Sequence, residues 1–322
     1  MGKSTQGFRL RVLRLALCLA VVTLGCAPLS YSRYYAKAKQ STAPLPERAK
    51  IFLVAGGLDV ANFADEIVEQ RRIWRARGFG DDEIICYIAR PTKDGFRGDR
   101  RQFRAIFAEL EGCYAASTAQ LREHLRLAAE RSPPFIYIYM SSHGTDGLIG
   151  DDVELPPNER ALLDRYIIQL GEGPGQGMRA EPVLAAYRRG VPLGELLWTP
   201  DLFAEVLGRF AAEIPKIIVL QACHSGGFVD EPRGRARALR EVPNLTMIAS
   251  ARFDRTSFGC DPGPSQTYFG ELFNDLLRPA SIGKVPPEIR WRVLFDELKG
   301  KIRELEDLHD VRASLPVFFS SE

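Results

Sequence analysis

Lys216-Ile-Ile-Val-Leu-Gln-Ala222 is an almost unbroken apolar run that stops at Cys223-His224-Ser225-Gly226-Gly227. A short run of this kind, closed by a polar, glycine-bearing turn, predicts a β-strand buried on both faces, as in a parallel sheet. The same design recurs upstream. Phe135-Ile-Tyr-Ile-Tyr-Met140 ends at Ser141-Ser142-His143-Gly144, Ile51-Phe-Leu-Val-Ala55 ends at Gly56-Gly57, and Glu83-Ile-Ile-Cys-Tyr-Ile-Ala89 is closed by Pro91. Downstream, Leu245-Thr-Met-Ile-Ala-Ser250 also runs into a polar loop. Between these strands apolar residues return at helical spacing over 61–77, stopping at Gly78, over 101–112 and 117–131, and again over 266–278 and 287–307. Strands alternating with helices imply an α/β domain whose mostly parallel sheet is covered on both faces. Ligands of such sheets sit beyond the carboxyl ends of the strands. Each of these polar clusters falls at such an end.

Residues 151–199 break the alternation. They carry Pro156-Pro157, a helical stretch over 158–170, a glycine-rich turn (Gly171, Gly173, Gly175, Gly177) and a short helix near 181–189. This reads as an insertion or lid between two core strands.

The N-terminus reads as a targeting segment. Lys3, Arg9, Arg11 and Arg14 precede the apolar stretch Leu15–Leu24, which is short for a membrane span and suits a signal peptide. It ends in Thr23-Leu24-Gly25-Cys26, similar to a bacterial lipobox, although Thr23 stands where Leu is usual. Acylation at Cys26 would place the protein in the cell envelope, as a lipid-anchored periplasmic or outer-membrane protein. A plain cleaved signal and an uncleaved anchor remain open. The organisation expected is a signal over 1–26, a polar tether over 27–48, one domain over 49–310 holding the insertion, and a tail over 311–322.

Composition excludes little but points one way. The chain of 322 residues, 45% hydrophobic, can bury a full core. With 43 basic against 41 acidic residues, it lacks the concentrated positive face expected of a nucleic-acid binder. The arginine-rich runs at 71–77, 97–104 and 233–240 read as solvated faces. Setting aside Cys18 in the signal and Cys26, four cysteines are left: Cys86, Cys113, Cys223 and Cys260. That is too few for a disulfide framework; one bridge is possible, and the sequence does not name it.

Two residues carry chemistry at the strand ends. His143 is followed by Gly144, whose N–H has no side chain in the way and so suits an oxyanion donor. Cys223 ends the next strand of the kind, before a turn offering free N–H groups, where a partner imidazole can activate a thiol. Other arrangements fit less well. Ser225 is not in a G-x-S-x-G elbow, His224 diverges from its neighbour Cys223, and His143, Cys223, His224 and Cys260 lack a recognised zinc spacing.

The pair Ser142-His143-Gly144 and Gln221-Ala222-Cys223-His224-Ser225-Gly226-Gly227 resembles the peptidase family of legumain and the catalytic subunit of the GPI-anchor transamidase, related to caspases, gingipains and clostripain. Val54-Ala55-Gly56-Gly57 with Asn62-Phe63 agrees with the first strand and loop of that family. Ser250-Ala251-Arg252, Arg255-Thr256-Ser257-Phe258 and Thr267-Tyr268-Phe269-Gly270-Glu271 agree with the segment after the catalytic strand. The resemblance spans roughly 50–280 without the insertion. It implies a caspase-haemoglobinase-like three-layer α/β/α sandwich and a cysteine endopeptidase acting on protein or peptide substrates, without metal or organic cofactor. It also implies Cys223 as nucleophile, His143 as proton donor to the leaving amine, the N–H groups of Gly144 and Cys223 as oxyanion donors, and Asn62 as orienter of the imidazole. The specificity pocket would involve Gln221, Ser250, Thr256, Ser257 and Glu271. Where legumain-like enzymes carry an Arg, this chain has Ala64, so an asparagine or basic residue before the cleaved bond is expected. A transamidase using the same dyad and a non-catalytic binding lipoprotein are the alternatives.

Overall fold

The computed structural model describes residues 44–57, 61–89, 100–148, 154–171, 180–232, 237–259 and 266–321. The signal segment, Cys18, Cys26 and Cys260 lie outside the described residues, as do most of the tether and Gly173, Gly175 and Gly177 of the insertion.

In chain order the elements are β1 (Ile51–Ala55), α1 (Ala61–Ala76), β2 (Ile84–Ile88), α2 (Arg100–Glu109), β3 (Tyr114–Ala115), α3 (Thr118–Glu130), β4 (Ile136–Ser141) and β5 (Gly144–Thr145). There follow α4 (Pro157–Leu163), β6 (Ile167–Ile168), α5 (Ala180–Arg188), α6 (Leu193–Leu196), α7 (Pro200–Leu207) and β7 (Lys216–Gln221). Last come α8 (Arg237–Arg240), β8 (Leu245–Ala249), α9 (Tyr268–Leu277), α10 (Trp291–Leu308) and β9 (Val317–Ser320). Local chemistry sets several helix starts. The hydroxyls of Ser117, Thr199 and Thr267 accept the N–H of Gln120, Leu202 and Gly270, capping α3, α7 and α9.

The main sheet runs β3-β2-β1-β4-β7-β8-β9 and is parallel except for β9. Alternation across the strands is complete. Phe52, Val54, Ile138, Met140, Ile218 and Leu220 face α3 and α7, whereas Leu53, Tyr137, Tyr139, Ile217 and Val219 face α1, α9 and α10. Both faces are apolar because both carry a helical layer, which makes the three-layer α/β/α architecture read from the sequence. The chain steps outward from β1 through β2 to β3, then returns to the far side of β1 as β4. The topological switch therefore lies between β1 and β4. At the opposite, amino end of β7 the buried Lys216 is satisfied by three carbonyls, those of Ala211, Ile214 and Pro243.

Two sequence expectations are corrected. The helix read over 158–170 stops at Leu163, and Ile167–Ile168 pair antiparallel with β5. Tyr166, Ile167, Ile168 and Leu170 are all buried, and such a run satisfies a helical and a strand pattern alike. The stretch read as a tail over 311–322 holds β9, which pairs antiparallel with β8 and completes the sheet. Four residues half-buried on both faces show no period to detect. The insertion is likewise more than a loose cover. Leu163, Ile167, Val183, Leu184, Leu196 and Leu197 form a small core of their own, while Tyr166, Ile168 and Trp198 join the main one.

Among the described residues one disulfide is formed, Cys86–Cys113, from β2 to the residue before β3. With its ends 27 positions apart, Cys113→Ser is expected to lower the unfolding free energy by about 2–4 kcal/mol. Urea denaturation with and without reductant checks this: wild type and variant should differ only when oxidised. Beside the bridge, His124 is buried between Tyr87 and Gln120, which meet its Nδ1 and Nε2. Burial holds its imidazole down at about 4. Since the folded pKa lies below the unfolded one, this stability is present above pH 6.5 and is lost as pH falls through 4. His124→Gln is expected to remove about 2 kcal/mol of acid lability over that window, allowing for the polar partners. Denaturant midpoints at pH 4 and 7 measure it.

Candidate active site

The register of β4 and β7 decides which residues meet. Met140 is paired with Leu220 and Ser141 with Gln221, and the ladder extends one step further as the Ser142 N–H donates to the Gln221 carbonyl at 2.9 Å. His143 and Cys223 thus stand at the same height, each two residues past the last pair, on neighbouring strands about 4.8 Å apart. Contact continues beyond them. A Cβ built on Gly144 would lie 2.1 Å from the carbonyl oxygen of Cys223 and 3.1 Å from Cβ of Ala222, so the two turns touch backbone to backbone. Only glycine allows this approach. The thiol and the imidazole, far apart in sequence, share one rim beside the topological switch.

The imidazole is held by residues at the carboxyl end of β1. Phe63 meets it edge-on, with ring centroids 5.1 Å apart. Gly57, at φ +78°, approaches it so closely that a Cβ there would stand 3.3 Å from His143 Cδ2. Asn62, expected to orient the imidazole, is buried at the start of α1 and donates through Nδ2 to the Gly259 carbonyl at 3.0 Å, tying the helix to the loop after β8. From the insertion, Gln169 donates its N–H to the His143 carbonyl at 3.0 Å and accepts the Ser142 hydroxyl on its own carbonyl. The insertion therefore braces the turn that carries His143. The sequence held signals for Phe63 and Gly57 but none for Gln169, whose role comes from a pairing between remote segments.

Cys223 is half-buried and is the free cysteine among the described residues. Its sulfur lies 3.4 Å from the Ser257 N–H and 3.7 Å from the Ser257 carbonyl. Burial pushes the thiol pKa up, against the N–H groups of Ser257 and of Cys223 itself, which favour the thiolate. At neutral pH the resting group is the thiol, so it becomes a nucleophile when a neighbouring base takes its proton. Directly after it, His224 takes the left-handed conformation at φ 58°, and the strand breaks into a 3₁₀ turn over Ser225–Phe228. An ordinary side chain there marks a turn held by its surroundings. His224 N–H donates to the Arg255 carbonyl, and Nδ1 lies 2.9 Å from the Phe253 carbonyl. Among the described residues no three of His, Cys, Asp or Glu gather as a metal set.

The expected pocket residues separate. Gln221 and Ser257 are buried beside Cys223, with Gln221 Nε2 at 3.5 Å from Ser257 Oγ. Ser250 is buried, and its hydroxyl accepts the Ala222 N–H at 3.0 Å and donates to the Ala222 carbonyl at 3.1 Å. Thr256 and Glu271 are exposed. The acid buried in this region is Glu66 of α1, which sequence reading missed. Its carboxylate accepts the Tyr139 hydroxyl at 2.8 Å, and the Thr267 N–H and hydroxyl at 2.9 and 2.6 Å. Burial pushes it up to about 6, against the hydrogen bonds from Thr267 and Tyr139, which favour the carboxylate. Its signal lay in the helix pattern, since Glu66 and Gln70 fall inside the apolar stripe Phe63, Ile67, Trp74.

No protein-family model matches the chain, and no curated protein sequence matches it. Among solved structures it is similar to a protein of Geobacter sulfurreducens from a structural genomics programme, at 15% identity over 85% of this chain and 93% of that one, with a TM-score of 0.47. It is also similar to caspase-1 from Spodoptera frugiperda, at 10% identity over 92% of this chain and 95% of that one, with a TM-score of 0.46. Both likenesses are loose. The α/β architecture stands on the strand order and register given above.

Proposed function

We propose that this chain is a cysteine endopeptidase of the legumain-like kind. The observation that supports it is the shared height of His143 and Cys223 on adjacent strands, with Gly144 against the Cys223 carbonyl. His143 takes the proton of the Cys223 thiol as the sulfur bonds to the scissile carbonyl carbon. The oxyanion is met by the N–H groups of Gly144 and Cys223. The carbon–nitrogen bond breaks as the imidazolium gives its proton to the leaving amine, and water, deprotonated by the same imidazole, then hydrolyses the thioester. The thiol raised by burial supports a role for the imidazole as a true base, since little thiolate stands ready without it.

Asparagine or a basic residue before the cleaved bond is the proposed preference. Export with a lipid anchor at Cys26 is the proposed location, and the Cys86–Cys113 bridge favours an oxidising compartment. The experiment is digestion of a peptide library by purified protein and by Cys223→Ala, read by mass spectrometry. Cleavage by the first alone, after Asn, Lys or Arg, is expected. Absence of cleavage would leave a binding protein; cleavage after Asp alone would refute the preference. Added amines competing with water in the products would mark a transamidase.

A further inference from the structure

The insertion meets the Cys223 turn as well as the His143 turn. Tyr166, just before β6, is buried and belongs to the main core. A Cβ built on Gly227 would lie 2.3 Å from both Cδ1 and Cε1 of the Tyr166 ring, and 2.5 Å from its Cγ. The ring therefore rests directly on the backbone of the 3₁₀ turn Ser225–Phe228, which follows Cys223. At Gly226 the same turn is tied to the loop after β8. Its N–H donates to the Ala251 carbonyl at 2.7 Å, and a Cβ there would stand 2.7 Å from that oxygen. Both approaches need glycine.

The stretch 166–169 then reaches the other turn. Ile167 and Ile168 pair with Thr145 and Gly144, the residues that follow His143. Gln169 donates its N–H to the His143 carbonyl at 3.0 Å, and its own carbonyl accepts the Ser142 hydroxyl. This stretch is itself fixed in place. The Ile168 N–H donates to the Trp198 carbonyl at 3.0 Å. A Cβ on Gly56, past β1, would lie 2.1 Å from the Gln169 carbonyl oxygen. One on Gly171 would lie 2.4 Å from the carbonyl oxygen of Ala116, past β3. The segment is thus seated on the carboxyl ends of β1, β3, β4 and β7 together. It is a strap across the rim.

We infer that Tyr166 is a positioning residue for the Cys223–His143 pair, and that the strap 166–169 sets the spacing of the two side chains. Its action is steric. Proton transfer from sulfur to imidazole needs the two groups within hydrogen-bond reach, and a misplacement of about 1 Å costs most of the rate. With the ring seated on Gly227, the Cys223 turn is held level with the His143 turn that Gln169 holds. With the ring gone, the Cys223 turn can draw away while β7 and its register stay as they are. Unseating the strap therefore switches the pair off, the opposite sign to an autoinhibitory segment. The inference rests on the dyad of the proposed function for the pair it positions, and on nothing about the substrate.

A double-mutant cycle tests it. The rate of Cys223 alkylation by iodoacetamide at about pH 7, read by mass spectrometry of its peptide, is compared in wild type, His143→Ala, Tyr166→Leu and the double variant. Each is first shown to melt cooperatively. In the wild-type background His143→Ala is expected to slow alkylation about tenfold or more. In the Tyr166→Leu background the same change should alter the rate less than about twofold. Tyr166→Phe keeps the ring on Gly227 and should retain the full factor. Gly227→Ala drives a methyl into that ring, should lose the factor as well, and carries the test should Tyr166→Leu not fold. A purely structural role would lower the melt and leave the His143 factor intact. An undiminished factor in Tyr166→Leu or Gly227→Ala overturns the inference and leaves the dyad standing. Loss of the factor in Tyr166→Phe also overturns it, because the ring contact is unchanged there. Absence of any factor in the wild type removes dyad and strap together. Peptide cleavage is scored in parallel: the expected cycle without cleavage removes the peptidase reading and keeps the strap.

Discussion

Cys223→Ala is expected to reduce peptide cleavage by about 10⁴-fold or more, and His143→Ala by about 10²–10⁴-fold. The two differ in a way that tests the roles. Without its sulfur the protein has no nucleophile, and no pH restores turnover. Without the imidazole the nucleophile remains, as a thiol that burial holds protonated well into the alkaline range. Its alkylation should be slow at neutral pH and recover as pH rises. The measurement is a pH series of Cys223 alkylation in wild type and His143→Ala. Coincident curves would remove His143 as the base, whatever the cleavage assay shows.

Gly144→Ala is expected to be almost as damaging, for a reason of space. The added methyl would fall 2.1 Å from the Cys223 carbonyl oxygen, against backbone that has no rotamer to change. Relief requires the His143 turn and the Cys223 turn to part. Overpacking of this kind costs about 1–3 kcal/mol of stability, which a thermal melt reads as a modest fall. Activity should suffer more, by about 10²–10³-fold, because both the dyad spacing and an oxyanion donor move. An active, undisplaced Gly144→Ala would show that the two turns do not form one site.

How much of this was legible in advance depends on the range of the interaction. The strands ending at Gly56, His143 and Cys223 could be read because each is a continuous apolar run closed by polar residues, and burial on both faces writes itself into consecutive positions. Helices α1, α3, α9 and α10 showed their stripe for the same reason. The short pairs β5 and β6, and the edge strand β9, could not be read. Two to four residues carry no period, and their partners lie far away in the chain. Ser250 and Glu271 were expected at a pocket by motif, and what pattern could not give is their environment: Ser250 is bonded to the Ala222 backbone and Glu271 is exposed.

From the sequence alone came the kind of fold and the placement of His143 and Cys223 at strand ends, because both depend on local pattern: which positions are apolar, and what ends the run. Only the tertiary structure decided that His143 and Cys223 stand level, that Gly57, Phe63 and Gln169 hold the imidazole turn, and that Glu66 is buried against Tyr139 and Thr267. Those facts follow from strand register and from the packing of α1 and α9 on one face of the sheet. A shift of one residue in the β4–β7 pairing would turn the side chains past it to the other face while leaving every local pattern unchanged.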